Sequence, residues 1–404
     1  MTTTSAPRNI VHFDLDTFFV SVERLRDSRL MGKPVLIGGI SDRSVVASCS
    51  YEARKYGIHY AMPMRMARRL CSDAIIIRGD MDMYSKYSRM VTNIIADSAP
   101  VYEKASIDEH YLDLSGMERF FGVSKWSHEL RERIIRETGL PISMGLSVNK
   151  TVSKIATGEA KPNGELVISG NAVNTFLGPL SIRKIPGVGD KTYRLLRAMG
   201  VSDIHTLALI PPDMILRVLG QNGLDIWRKA NGIDLTPVQA YTEQKSMSTE
   251  RTFEEDTIDV KKLERILSGM SEHLAYELRK SQRVTGNVAV KIRYANFDTH
   301  TTQQRIEYTS LDHKLTPLVL QLFKKLYNRR LLIRLVGVRF SNLVYGAPQL
   351  NLFEDTSEMV RLYQAIDQIK NKYGAHSIGK ALSFRYDQNP EEQRGTYNFY
   401  KPTD

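Results

Sequence analysis

The sequence predicts a multidomain α/β protein, with mixed strands and helices over roughly the first 170 residues, a helical middle, and a second β-rich region from about 242 to 345. Three observations carry this prediction. At 404 residues the chain exceeds one typical hydrophobic core and calls for two to four domains. Its 42% hydrophobic and 25% charged residues are those of a soluble globular chain. Its texture also changes twice, first where glycine-rich turns begin to separate short helical patterns and again where strict alternation returns.

Each element follows from its local pattern. "NIVHFDLD" (9–16) reads as a strand ending in acids, and "TFFVSVERLRD" continues as a helix with Phe18, Val22 and Leu25 near one face. "GKPVLIGG" and "SVVASCS" are short apolar runs bounded by glycine and serine, the mark of strands. "YEARKYG" and "PMRMARRLC" have helical spacing, closed by glycine or by a change of pattern. A helix around "MYSKYSRMVTNIIADSA" precedes "VYEKASIDEHYLDLS", which reads as a hairpin; "HELRERIIRETG" is a helix and "PISMGLSVN" a strand.

In "SIRKIPGVGDKTYRLLRAMGVSDIHTL" (181–207) a glycine-rich turn separates two short helical patterns, and a related turn follows at "LGQNGLDIWRKANG". Gly187 and Gly189 can adopt backbone angles denied to other residues, leaving amides near a helix N-terminus free to hold a phosphate, as in a helix-hairpin-helix grip on a DNA backbone. An ordinary helical hairpin turn has the same local pattern. In "NVAVKIRYA", Val288, Val290, Ile292 and Tyr294 share one face and Lys291 and Arg293 the other; "LVGVRFSNL" repeats the device, with Val336, Val338 and Phe340 opposite Arg339. Residues 242–345 hold 18 Lys and Arg against 12 Asp and Glu, which suits a one-sided basic sheet facing nucleic acid as well as an incidentally charged solvent face.

The net charge of +11 points to a polyanionic partner, because Lys and Arg gain affinity by releasing counterions from phosphates. Cys49 and Cys71 lack CxxC spacing and a histidine-rich companion, so neither a disulfide framework nor a zinc site is indicated. The start, "MTTTSAPRN", has no apolar signal core, and no apolar run approaches the roughly 18 residues of a membrane span, so a cytoplasmic location without membrane attachment is expected.

The chemistry gathers around two acidic stretches. In "SIDEHYLDLSG" (106–116) a regular strand would put Asp108 and Glu109 on opposite faces, so both can serve one site only if the pleat is broken by a turn or bulge. Asp14 and Asp16 in "FDLDTFF" form a D-x-D at a strand end, which alone is commonly an N-cap or a solvated pair. Together the two stretches suggest neighbouring strands offering carboxylates to hard cations such as magnesium, which takes one or two protein carboxylates plus substrate phosphates.

"FDLDTFFVSVE", "YEARKYG", "SIDEHYLD", "SVNKTVSKIAT", "AKPNG" and "IPGVG" occur in the order and spacing of Y-family translesion DNA polymerases. The chain most resembles their bacterial DinB or DNA polymerase IV group, over essentially residues 8 to 353. The resemblance implies a right-hand architecture: a palm with a mixed sheet (1–20 and 80–170), small fingers (21–79), a helical thumb with a helix-hairpin-helix (171–231), a linker (232–244), an α+β little finger (245–345) and a tail (346–404). It implies that Asp14, Asp108 and Glu109 are catalytic and hold two Mg2+ ions with the Leu15 carbonyl, Asp16 standing outside the ligand set. Phe19 aligns with the steric gate against ribonucleotides, Tyr51, Arg54 and Lys161 with the triphosphate contacts, and Ala47 and Ser48 with the small residues over the nascent base pair. Gly187, Gly189, Lys291, Arg293 and Arg339 are the DNA-binding candidates. His110 stands where the family most often has Ala or Ser and is expected to be a packed, neutral imidazole; no function attaches to Thr17.

After the last basic strand, "QLNLF" resembles the short peptide that docks into the bacterial sliding clamp, with Gln349 setting register and Leu350, Leu352 and Phe353 filling the groove. Beyond it, Met359, Leu362, Ile366, Ile369 and Tyr373 are spaced as the apolar face of an amphipathic helix whose partner is the body of the protein or another chain. The resemblance therefore implies low-fidelity, template-directed synthesis from dNTPs on primer-template DNA by a monomer recruited by the clamp. A two-metal nuclease or nucleotidyl cyclase on a similar sheet, and an inactive DNA- and clamp-binding adaptor, are the alternatives; loss of the acids would mark the adaptor, and all three acids are present.

Overall fold

The computed structural model describes residues 8–120, 122–240, 243–346, 357–374 and 377–381. The described residues fall into two compact units, the first ending at residue 240 and the second beginning at residue 243.

The first unit is built on a five-stranded sheet. Its elements run β1 (Ile10–Leu15), α1 (Phe18–Arg26), β2 (Val35–Gly38), β3 (Val46–Cys49), α2 (Tyr51–Arg54), α3 (Met64–Leu70), β4 (Ile75–Ile77), α4 (Met81–Ser98), β5 (Tyr102–Lys104), β6 (Glu109–Asp113), α5 (Val123–Thr138), β7 (Ile142–Ser147), α6 (Lys150–Ala160) and β8 (Glu165–Val167). The sheet order is β5-β6-β1-β7-β8, with β1 antiparallel to both β6 and β7 and β8 parallel to β7. Alternation along β1 sends Val11, Phe13 and Leu15 into a core shared with Val91, Ile95, Leu130 and Ile134 of α4 and α5. His12 and Asp14 fall on the opposite face, which α6 covers: the Ser153 hydroxyl donates to the Ile10 carbonyl at 2.7 Å, and that of Thr157 lies 3.0 Å from the His12 carbonyl.

That close approach depends on Gly145. A Cβ there would lie 2.2 Å from the Ser153 carbonyl oxygen and 2.6 Å from the Thr157 nitrogen, both backbone atoms of α6. Gly145→Ala is therefore expected to cost about 1–3 kcal/mol by overpacking and to lower the melting temperature measurably. An unchanged melting curve would show that α6 can retreat without loss.

The region between α1 and α4 forms a separate three-stranded sheet, β3-β2-β4, around Leu36, Val46, Ile58 and Met64. Its parallel strand β4 goes unread in the sequence, because three isoleucines in a row show neither strand alternation nor a turn. "YEARKYG" yields only one helical turn, capped by the Ser50 hydroxyl. Leu25 does not share the buried face of Phe18 and Val22; its side chain is 44% exposed.

The helical region follows with α7 (Val173–Leu177), α8 (Asp190–Ala198), α9 (Ile204–Leu209) and α10 (Pro212–Ala230), the last broken at Gly220 by non-helical backbone. Gly187 has φ +104°, Gly189 directly precedes α8, and neither glycine has a neighbour within 4 Å of a would-be Cβ. Residues 232–239 are pinned to the first unit. Asn149 donates to the Gly232 carbonyl at 2.7 Å, Thr151 to Asp234 at 2.8 Å, and the Gln239 amide to Glu103 at 2.8 Å, while Val238 packs with Ile10 and Tyr111.

The second unit contains β9 (Ser246–Thr257), α11 (Val260–Lys280), β10 (Arg283–Tyr294), β11 (Thr299–Thr309), α12 (Asp312–Leu326), β12 (Ile333–Tyr345) and α13 (Ser357–Tyr373). The sheet is antiparallel in the order β11-β10-β12-β9. Val288, Val290, Ile292, Val336, Val338 and Phe340 are buried with residues of α11 and α12, as their alternation predicts. α13 docks differently from its apolar pattern. Tyr363 and Lys370 are its buried residues, and Asp367 makes two hydrogen bonds to Arg279, at 2.7 and 3.0 Å, whereas Leu362, Ile369 and Tyr373 of the expected apolar face are exposed. Half-buried Arg279, which also bonds Asp312 at 2.6 Å, draws an acid of the helix inward, and ion pairing with the ring packing of Tyr363 decides which face docks.

Candidate active site

The β1/β6 ladder pairs Asp14 with Glu109, so the two carboxylates lie side by side on the face covered by α6. Asp108 precedes the first residue of β6 and sits in a bend, so the pleat is broken where the sequence required it to be. Ser106 builds that bend: its hydroxyl donates to Asp108 Oδ1 at 2.6 Å and accepts from the Glu109 amide at 3.0 Å. The Leu15 amide donates to the Asp108 carbonyl at 3.1 Å, bringing that bend against the end of β1.

Two lysines neutralise the acids. Lys154 of α6 reaches both oxygens of Glu109, at 2.6 and 2.5 Å, and Lys161, just past α6, bonds Asp14. Burial pushes Asp14 up to about 6 against the pull of Lys161, with Glu109 and Asp108 adding to the rise. Burial would also raise Glu109, but the His12 imidazole at 3.8 Å and the Lys154 ammonium hold it well below the usual carboxylate range. His12 itself is brought down to about 4 by burial, so it stands neutral.

Of these groups the sequence points to Lys161, whereas Lys154 and Ser106 emerge from the structure. The signal for Lys154 lay in "SVNKTVSKIAT", where Lys150 and Lys154 are four residues apart on one helical face; each meets an acid of the hairpin, Lys150 pairing with Glu103 at 2.7 Å. His110 points the other way, fully buried, with Nε2 3.0 Å from the Thr92 hydroxyl. Burial lowers it to about 3, so it is a neutral packed ring as expected.

Phe19 lies in the first turn of α1 and stacks on Tyr84 with ring centroids 4.3 Å apart and planes inclined by 12°. Tyr84 is itself held by a 2.8 Å hydrogen bond to the buried Glu23. Thr17, just before the helix, takes the left-handed region at φ 42°, a conformation that costs a β-branched residue about 1–3 kcal/mol and recurs at constrained functional sites.

Tyr51 and Arg54 lie on α2, the guanidinium 4.8 Å above the Tyr51 ring. The Tyr51 hydroxyl donates to Asp16 at 2.9 Å; burial, then the Asp16 charge, pushes the phenol up and keeps it protonated. Ala47 and Ser48 are on β3, with Ala47 exposed. Asp14, Asp108, Glu109, Tyr51 and Lys161 are thus linked directly or through Asp16 and Leu15. Gly187 and Gly189 sit at their own turn in the first unit.

In the second unit, Lys291, Arg293 and Arg339 share the sheet face opposite the helices, as predicted. Lys291 is paired with Glu250 at 2.5 Å and Arg293 bonds the Thr299 hydroxyl at 2.8 Å; Arg339, the exposed cation of the three, donates to the Ser246 hydroxyl at 3.1 Å. Gln349, Leu350, Leu352 and Phe353 lie outside the described residues.

Among the described residues, no three Asp, Glu, His or Cys side chains are gathered closely enough to form a metal cluster by themselves. The donor set nevertheless suits magnesium. It consists of hard carboxylate oxygens whose charge is balanced by ammonium groups, as a cation would balance it, and magnesium typically completes its shell with water and substrate phosphate. No helix among the described residues is long and apolar enough to cross a membrane.

A profile described as the impB/mucB/samB family matches residues 13–158, its C-terminal domain profile residues 244–352, and the IMS family HHH motif residues 170–201. DNA polymerase IV of Dehalococcoides mccartyi is 37% identical over 382 residues, covering 94% of this chain and 98% of that protein. DNA polymerase IV of Treponema denticola is 33% identical, covering 93% and 97%. Among solved structures, a Y-family polymerase chimera, Dbh-Dpo4(243-245)-Dbh, aligns with a TM-score of 0.75 at 24% identity over 84% of this chain and all of that one. DinB from Sulfolobus solfataricus aligns with a TM-score of 0.59 over the same shares.

Proposed function

The chain belongs to the DinB-type Y-family of DNA polymerases, and from that premise we propose that it joins a dNTP to a primer 3′-hydroxyl by two-metal nucleotidyl transfer. It is a DNA-directed DNA polymerase of the translesion class, with palm, thumb and little-finger domains. The observation that carries the mechanistic reading is the pairing of Asp14 with Glu109 on one sheet face, with Asp108 delivered beside them by the Ser106 bend.

Asp14, Asp108, Glu109 and the Leu15 carbonyl are the groups that would hold two magnesium ions. Those ions, when bound, supply the positive charge that activates the attacking hydroxyl and stabilises the departing pyrophosphate. Lys161 is within reach of Asp14 and stands next to the Tyr51 and Arg54 grip, which suits it to the triphosphate. The open turn at Gly187 and Gly189 and the cationic sheet face bearing Lys291, Arg293 and Arg339 are separate candidates for holding DNA backbone. "QLNLF" is proposed as the clamp-binding peptide.

The test is incubation of the full chain with primed template and four dNTPs, which is expected to lengthen the primer in template order. A shortened primer or a cyclised nucleotide would overturn the reading in favour of the nuclease or cyclase.

Phe19 is the proposed sugar gate, rigid because Tyr84 supports its ring face to face. Phe19→Val removes that bulk and is expected to reduce the preference for dNTP over rNTP, read as the ratio of kcat/KM values, by roughly ten- to two-hundredfold. A ratio equal to the wild type places the gate elsewhere.

A further inference from the structure

Asp16 is the acid that the ligand set leaves out, yet its side chain is only 1% exposed. A carboxylate is that deeply buried only when it is paired or satisfied by donors, because the desolvation of an unpartnered charge is severe. Asp16 accepts three hydrogen bonds from three separate segments. The Tyr51 hydroxyl of α2 reaches Oδ1 at 2.9 Å, and the Ser143 hydroxyl of β7 and the Asn163 amide, in the turn after α6, both reach Oδ2 at 2.7 Å. Lys161 Nζ is 4.0 Å from Oδ1.

Two of those segments carry the proposed phosphate contacts. Tyr51 is the platform under the Arg54 guanidinium, and Asn163 is two residues from Lys161 in the same turn. The third, Ser143, belongs to the strand paired with β1 and ties the arrangement to the sheet that bears Asp14. The Asp16 carboxylate thus joins α2, through the Tyr51 hydroxyl, to the turn after α6, through the Asn163 amide. An ionised carboxylate is an acceptor only, so the single phenolic proton of Tyr51 is committed to Asp16. In this arrangement Tyr51 acts through its ring, and the donors left for a phosphate are those of Arg54 and Lys161.

We propose that Asp16 is a positioning residue for the triphosphate of the incoming nucleotide, setting Arg54, through Tyr51, and Lys161 at a fixed spacing without touching metal or substrate. The inference rests on the reading that Arg54 and Lys161 grip the triphosphate. Asparagine at position 16 keeps the shape but cannot accept at both ends. If its oxygen stays with Ser143 and the Asn163 amide, its NH2 faces the Tyr51 hydroxyl and the charge-assisted bond is lost.

The experiment is single-nucleotide incorporation by the full chain at saturating primed template, comparing Asp16→Asn, Tyr51→Phe, the double variant, Arg54→Ala and Lys161→Ala. Asp16→Asn is expected to raise KM for dNTP by roughly ten- to hundredfold, with a smaller change in kcat and unaltered primer-template affinity. Tyr51→Phe should show a smaller rise, and the double variant no more than Asp16→Asn alone, because the two act on one bond. If Arg54→Ala and Lys161→Ala raise KM while Asp16→Asn does not, the positioning role is overturned and the grip stands. If neither Arg54→Ala nor Lys161→Ala raises KM, the grip itself is wrong. Should Asp16→Asn fail to fold, Tyr51→Phe alone decides: a KM for dNTP equal to wild type overturns the proposal.

Discussion

Asp108→Asn is expected to reduce primer extension by roughly a hundred- to a thousandfold or more, with primer-template binding intact. The reason is local. The Ser106 hydroxyl donates to Asp108 Oδ1, and the Asp108 carbonyl accepts from the Leu15 amide; an asparagine amide oxygen can take the first bond, and the second is backbone. The bend should therefore survive, and what disappears is one negative charge beside Asp14 and Glu109. In the proposed mechanism that charge matters twice, as a hard oxygen ligand and as part of the field that opposes the lysines. Primer extension gives the rate, and DNA binding of the same variant shows that the loss is chemical. Extension near the wild-type rate would remove Asp108 from the catalytic set.

Changing Leu352 and Phe353 together to alanine is expected to weaken clamp binding by roughly a hundredfold, since buried apolar anchors commonly lose about 1–2 kcal/mol or more each on truncation. The peptide lies far in sequence from Asp14, Asp108, Glu109 and Phe19, so the variant should melt normally and extend a bare primer at the wild-type rate. The defect should emerge only when a loaded clamp stimulates synthesis. Undiminished stimulation would assign these residues to packing, and so would a joint loss of melting temperature and basal activity.

The strands and helices that carry the acids were legible because their patterns are local. β1 and β6 alternate between core and site faces, and the order of the acidic motifs in the chain is enough to suggest neighbouring strands. The same alternation required a break between Ile107 and Glu109, and the break is there. What escaped was short or unpatterned. β4 has three residues and no alternation, and α13 docks through Tyr363, Asp367 and Lys370 because a half-buried, ion-paired arginine on another helix outweighs its own apolar stripe.

Chain order and residue type together therefore determined the family, the acidic motifs and the basic strand faces, and singled out Phe19 as the proposed gate, since each is written in a contiguous stretch whose chemistry does not depend on distant partners. The tertiary structure alone decided which lysine faces which acid, that Tyr84 braces Phe19, that residues 232–239 are bound to the first unit, and that Asp16 joins α2 to the turn after α6. Those contacts link residues far apart in the chain: Arg8 and Thr236 are 228 positions apart, and Asp16 and Asn163 are 147. Pairing at that separation follows from strand register and helix packing, which bring together side chains whose own neighbourhoods carry no trace of one another.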